Sequence, residues 1–451
     1  MRKRSAAAAL PALAMIAAVI LIGAPASAGD AVPPFELEAT VETLDNGLKV
    51  ILVEDHSVPV ITYQTFFRVG ARNERPGITG ISHFIEHMMF NGAEKYGPKE
   101  FDRVLESSGG YSNAFTSDDM TAYYEDISSD GLELCVDLDS DRMRSLAFDP
   151  GYVESEMSVV MEERRLSIDN SVQGQIREDL DALAFKAHPY KWPVLGWMSD
   201  LEAIDREDCL EYFRTYYAPN NAVLIVAGDF ETEEALELIR RNYAGIPPGG
   251  EPARVRTAEP AQRGERRGEL RMPAELPSVM IGYHAPPAGS EDIFALDVLQ
   301  KILTGGRSSR LYRALVREKE AAVEVDSYFP WRIDPYLFTL QVRMKPGGDT
   351  SEAEETVYGI LSDIAAEGVT REELARARNV LEADFIRSMQ TVNGRATKIG
   401  RYEVLFGDYR RILEVPGEYG KVTIEDVKRV AGEYFGRDNR TVITLVPEGG
   451  R

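Results

Sequence analysis

Cysteine is nearly absent from this chain: Cys135 and Cys209 are the only two in 451 residues. That number excludes a disulfide scaffold, and no C-x-x-C spacing supplies a redox pair or a thiolate metal site. Each cysteine sits in a helical pattern and is expected to pack as a small apolar residue, with a bridge between them left open. Histidine is also scarce, at five residues, so two of them at a defined spacing carry weight. Basic residues fall short of acidic ones, 51 against 74, for a formal net charge of −23. This deficit argues against nucleic acid as a partner, because phosphate binding requires clustered Lys and Arg. The excess of carboxylates either keeps the chain soluble or lines a chamber for basic polypeptides. Beyond the first 22 residues no apolar run approaches a membrane span.

The N-terminus has its own pattern. Arg2, Lys3 and Arg4 precede a mostly apolar run from Ala6 to Ile22, and Ala26-Ser27-Ala28 follows with small residues suited to cleavage. Residues 1–28 therefore read as a secretory signal peptide, and a periplasmic or secreted location is expected. Pro11 and the many alanines argue against an uncleaved anchor, so no stable membrane insertion is expected after cleavage. Loss of the three cations would take the formal charge from −23 to −26.

The strongest chemical signal is His83-Phe84-Ile85-Glu86-His87. Ile81, Phe84, Ile85, Met88 and Met89 recur at helical spacing and form an apolar stripe, which leaves His83, Glu86 and His87 on the other face. Imidazoles four apart on a helix can share one metal ion, and Glu86 points into the same space. This is the inverted H-x-x-E-H arrangement. Two imidazoles suit zinc, but a catalytic zinc usually has three protein ligands, so a third must come from elsewhere.

Along the chain, Asp45-Asn46-Gly47 reads as a tight turn leading into a strand at Leu48 to Val53, and Val58 to Val69 reads as a second strand. Gly109-Gly110 opens the stretch Tyr111 to Thr116, for which composition alone favours a plain hairpin turn and the functional reading is an edge able to bind an extended peptide. Met120 to Ile127 follows as a strand. Asp149-Pro150 starts a helix over 152–167 carrying Glu156, Glu162 and Glu163, with Glu156 and Glu163 two turns apart on one face. Composition alone does not choose among these carboxylates.

The combination of His83 to His87, Asn113-Ala114-Phe115-Thr116, and a Glu-Glu pair with Glu163 76 positions after His87 resembles the pitrilysin, insulysin and mitochondrial processing peptidase family. The short two-domain bacterial members are the most similar in design. The resemblance implies that His83, His87 and Glu163 bind Zn2+, that Glu86 is the catalytic base, and that Glu156 is an auxiliary carboxylate. It also implies substrate contacts from Asn113, Ala114, Phe115 and Arg317. The expected activity is that of an exported zinc metalloendopeptidase cutting peptides or small unfolded proteins. The alternative is a non-catalytic assembly or binding subunit of a peptidase-like complex.

An internal duplication has independent support. Tyr216 to Val226 is echoed by Tyr434 to Thr444, 218 residues later, each copy ending a helix and starting a strand. The expected fold is α+β, with two similar α/β-sandwich domains whose mixed sheets carry helices packed on one face. The expected divisions are 29–246 for the zinc domain, 247–270 for a Pro-, Gly- and Arg-rich linker, and 271–451 for the second domain. In the family, the helix ending near Arg317 supplies an Arg and, seven residues on, a Tyr. Here that position is Glu324, while Tyr328 lies off the motif. The resemblance therefore implies a heterodimer in which a related subunit supplies the Arg and Tyr pair, or a homodimer in which Tyr328 or another group takes the role.

Overall fold

The computed structural model describes residues 37–448; the segment 1–28 read as a signal peptide lies outside them. The first half forms a sheet from β1 (Thr40–Thr43), β2 (Lys49–Glu54), β3 (Val60–Phe67), β4 (Tyr111–Thr116), β5 (Thr121–Ser128) and β6 (Ala222–Gly228), ordered β1-β2-β6-β3-β5-β4. The second sheet comprises β7 (Arg266–Met272), β8 (Ser278–Ala285), β9 (Ala322–Tyr328), β10 (Tyr336–Met344) and β11 (Arg440–Pro447), ordered β7-β11-β8-β10-β9. Both sheets are mixed. β6 runs parallel to β2 and antiparallel to β3, while β11 runs parallel to β7 and antiparallel to β8. Strand β7 begins inside the stretch 247–270 read as linker; its charged composition hides a strand held by ladder bonds to β11.

Duplication is visible down to single hydrogen bonds. Helix Arg206–Tyr216 and helix Ile424–Tyr434 each end in a short turn that feeds β6 or β11. In the first turn the Asn221 side-chain amide donates to the Tyr216 carbonyl at 2.8 Å. In the second, Asn439 donates to the Tyr434 carbonyl at 2.7 Å.

Each half lays its own helices on one face of its own sheet, and the opposite face is closed by a helix from the other half. Helix Val392–Phe406 places Val392, Ala396, Ile399 and Val404 against Ile51, Phe66, Val223 and Ile225. In return, helix Val172–Ala184 places Ile176, Leu180 and Ala184 against Met280, Leu337, Ile443 and Leu445. This explains why β6, AVLIVAG, is buried along its whole length: both faces are covered, so its sequence is a continuous apolar run without alternation. The two exchanged helices start alike. Ser171 caps the first by accepting from Gly174 N, and Thr391 caps the second by accepting from Gly394 N.

The helix expected over 152–167 runs from Pro150 to Arg164 and continues as a widened π-type turn, Arg165–Asp169. Cys135 and Cys209 are both free and buried in the first core, filling the role of small apolar residues. Among the described residues, no helix is long and apolar enough to cross a membrane.

Gly400 is the tightest point of the exchange, since a Cβ there would fall 2.2 Å from the Phe66 ring. Alanine improves helix propensity by about 1 kcal/mol, whereas overpacking costs about 1–3 kcal/mol. Gly400→Ala is therefore expected to lower stability in chemical denaturation. An equal or greater unfolding free energy would contradict this packing.

Candidate metal centre

The metal helix, Ile81–Met88, buries Ile81, Phe84, Ile85 and Met88 in the first core, as its apolar stripe requires. Its start is held unusually firmly. Gly80 adopts a left-handed conformation, φ +91°, at a point where a Cβ would lie 2.7 Å from the Leu195 carbonyl oxygen. The buried Glu74 carboxylate accepts from Gly80 N at 2.8 Å and Ser82 N at 2.9 Å, satisfying two of the amides a helix start leaves free. Burial pushes Glu74 up to about 8, against those two backbone bonds. Tyr217 adds a hydroxyl bond to the Ser82 carbonyl at 3.1 Å, and Tyr212 pairs with the Ser82 hydroxyl at 2.9 Å. Sequence reasoning missed all three residues, because contacts so distant along the chain leave no local spacing to read.

Facing this helix is Pro150–Arg164, started by the Asp149 side chain, which accepts from Gly151 N and Tyr152 N. Its far end is pinned by Arg164, which donates to Glu178 at 2.9 Å and to the Gly196 carbonyl at 2.6 Å. Between these anchors, Glu156 and Glu163 face the metal helix, while Glu162 turns outward to Arg165 at 3.1 Å.

His83, His87 and Glu163 converge, with one potential ligand atom from each lying within 4.8 Å of the others. The Glu163 Oε2 atom is 3.3 Å from His87 Nε2 and 3.7 Å from His83 Nε2. A tetrahedral zinc with bonds of about 2.0–2.2 Å sets its ligand atoms about 3.3–3.6 Å apart, so the donor set fits that ion. Glu156 does not join this cluster directly. Its Oε1 lies 2.8 Å from His87 Nδ1, which fixes the ring and leaves Nε2 for the metal.

Electrostatics agree with a site built for a cation. Burial acts most strongly on His87 and pulls it down, but hydrogen bonds to Glu156 and Glu163 outweigh it and lift the imidazole to about 9. His83 is driven down to about 4 by burial and then by His87, which keeps its lone pair free. The hydrogen bond to His87 is the main cause that lowers Glu163, and the same holds for Glu156. The two carboxylates thus favour positive charge beside the point where the three ligand atoms meet.

Glu86 stands on the same helix and accepts from the Thr116 hydroxyl of β4. Burial raises Glu86 to about 7, with the Thr116 bond acting in the opposite sense. Asn113, Ala114 and Phe115 lie on β4, which is an edge strand; the structure therefore places a strand where composition alone favoured a turn. Ala114 packs towards the core beneath the metal helix, and Phe115 turns to the other face against Phe66. Arg317 is not brought to this site. It is exposed on the helical turn Tyr312–Glu318, which packs against β9 at the edge of the second sheet. Glu324 pairs with Arg343 on the neighbouring strand, and Arg177 lies 5.0 Å from the Tyr328 ring centroid. In the second half, helix Asp292–Thr304 follows β8 as the metal helix follows β3, but it carries no histidine.

Comparison with known proteins agrees with this division. Residues 49–196 match the family model described as insulinase (peptidase family M16), and residues 203–381 match the model described as peptidase M16 inactive domain. The chain is 30% identical over 410 residues to zinc protease PqqE of Helicobacter pylori, covering 90% of this chain and 92% of that one. It is 25% identical over 401 residues to the uncharacterized zinc protease YmxG of Bacillus subtilis, covering 88% and 95%. A protease structure from Helicobacter pylori superposes with a TM-score of 0.88 at 29% identity, covering 91% of this chain and all of that one.

The ligand geometry makes a pH-dependent prediction. Below about pH 9, zinc must displace the His87 proton, so apparent affinity is expected to rise about tenfold per pH unit and level off near 9. Glu156→Gln should lower the affinity about 10–100-fold and start the plateau at lower pH, since His87 loses a partner that holds its proton. Competition with a chromophoric chelator across pH checks both, and a pH-independent affinity would contradict the account.

Proposed function

The chain belongs to peptidase family M16, the insulinase family, and on that premise we propose that it is an exported zinc-dependent endopeptidase acting on peptides or small unfolded proteins. The observation that carries this reading is the meeting of His83, His87 and Glu163 beside a separate, half-buried carboxylate, Glu86. Zinc, when bound, would supply Lewis acidity to the scissile carbonyl and acidify a water. His83, His87 and Glu163 are the residues that would hold it. Glu86 is the general base: a carboxylate near neutrality can take a proton from water and return it to the departing amine. Thr116 orients Glu86 from β4, and the free edge of β4 offers main-chain hydrogen bonds to an extended peptide. Export rests on the signal pattern of residues 1–28.

A related subunit completes the site in this reading. Neither Arg317 nor Glu324 supplies a donor beside the metal cluster, and a carboxylate at position 324 would repel a developing oxyanion. A heterodimer bringing an Arg and a Tyr is the assembly proposed; a homodimer in which Tyr328 or another group takes the role is the alternative.

Glu86→Gln is expected to retain about one zinc per chain while losing roughly 10²–10⁴-fold in turnover. Metal analysis and peptide digestion, with and without chelator, are to be run on this chain alone and mixed with a related co-exported subunit. Near-normal turnover by Glu86→Gln would remove its assigned role. Full chelator-sensitive activity from the isolated chain would rule out the need for the second subunit.

A further inference from the structure

A cavity of about 380 Å³ opens between helix Val392–Phe406 and the segment 328–332, and one of its lining residues, Arg401, reaches Phe115 on the face of β4 turned away from the metal cluster. Its lining carries the cations Lys301, Arg332, Lys398 and Arg401 against the carboxylates Asp297 and Asp384. The pairing is unequal. Asp384 accepts from Lys301 at 3.0 Å, Asp297 accepts from Tyr419 at 2.6 Å, and Arg332 pairs with Asp118 at 2.7 Å. Lys398 and Arg401 have no hydrogen-bond or ion-pair partner among the described residues, and the Arg401 guanidinium lies 5.0 Å from the Phe115 ring centroid. Burial, then the neighbouring Arg401, pulls the Lys398 ammonium down; burial, then Arg332, does the same to Arg401. Asp297 acts on Lys398 only from beyond ion-pair distance, so in a chain of net charge −23 two cations share one cleft without a direct carboxylate contact.

The alternation of β4 connects this cavity to the reaction. Thr116 faces Glu86 on the metal side, while the adjacent Phe115 faces Phe66 and Arg401 on the other. A peptide added along the free edge of β4 must alternate with the same period of two. Every second side chain then lies on the face of the sheet that carries Phe115, and the one level with Phe115 comes nearest to Arg401 at the mouth of the cavity.

We propose that this cavity is an anion subsite of the peptide-binding edge, in which Arg401 and Lys398 receive a carboxylate of the substrate. The carboxylate comes from a Glu or Asp side chain near the cleaved bond or from a free C-terminus. This inference rests on the endopeptidase reading and adds a substrate preference to it. The subsite favours acidic substrate groups locally, although the chain as a whole is acidic.

The test uses full-length protein, with its partner subunit if activity requires one. Peptides carrying Glu or Gln at each position flanking the cleavage site, each as a free acid and as an amide, are compared by kcat/KM. In parallel, their binding to zinc-loaded Glu86→Gln protein is followed by fluorescence anisotropy. A charged hydrogen-bonded pair predicts about a tenfold advantage for Glu at one position, or for the free acid over the amide if the C-terminus is the source. That ratio should fall towards one in Arg401→Gln and in Lys398→Gln, be partly kept in Arg401→Lys, and shrink with added salt. Equal values for Glu and Gln at every position, together with equal values for acid and amide, would overturn the subsite. Tighter binding of the Glu peptide without cleavage of any peptide would support the subsite and remove the peptidase reading alone.

Discussion

Two imidazoles and a carboxylate held within 4.8 Å at the margin of a hydrophobic core form an arrangement that a positive charge must stabilise. The rest of the first domain serves to keep those groups there. Glu74, Tyr212 and Tyr217 hold the start of the metal helix, and Arg164 pins the far end of the facing helix. Glu156 orients one ring from behind. The Glu156 and Glu163 carboxylates accept from His87 and raise its pKa despite burial, so the surroundings of that ring favour positive charge.

The scaffold beneath the site depends on reciprocity between the halves. Helix Val392–Phe406 covers the sheet that carries the metal helix, and Val172–Ala184 covers the other. The active half is thus built partly from the second half, which has no histidine on its matching helix. This gives a physical reason for a duplicated domain without metal ligands to persist: it completes a core and one wall of a cleft. β4 ties these roles together, because its alternating side chains face the metal helix on one side and the exchanged helix on the other.

Much of the site was legible in the sequence because its information is local. The H-x-x-E-H spacing fixes two rings and a carboxylate on one helix face, and the seven-residue step from Glu156 to Glu163 puts both on one face of the second helix. The choice of Glu163 over Glu162 needed the family resemblance, and the geometry separates them by direction. The duplication was legible from Tyr216 and Tyr434 onward, yet the paired caps Ser171-Val172-Gln173-Gly174 and Thr391-Val392-Asn393-Gly394 went unread. Those starts carry the same signal 220 residues apart and would have revealed the exchanged helices. The buried cap from Glu74 had no such signal, since it is defined by a loop path. The contact of Arg401 with Phe115 joins residues 286 positions apart, beyond any pattern in the chain.

X-ray absorption at the zinc edge of the purified, metal-loaded protein tests the central claim most directly. The account predicts two imidazole nitrogens and carboxylate oxygen at about 2.0–2.2 Å, with no sulfur, and loss of one imidazole signature in His87→Ala. A shell containing sulfur near about 2.3 Å, or a zinc spectrum without imidazole scattering, would contradict it.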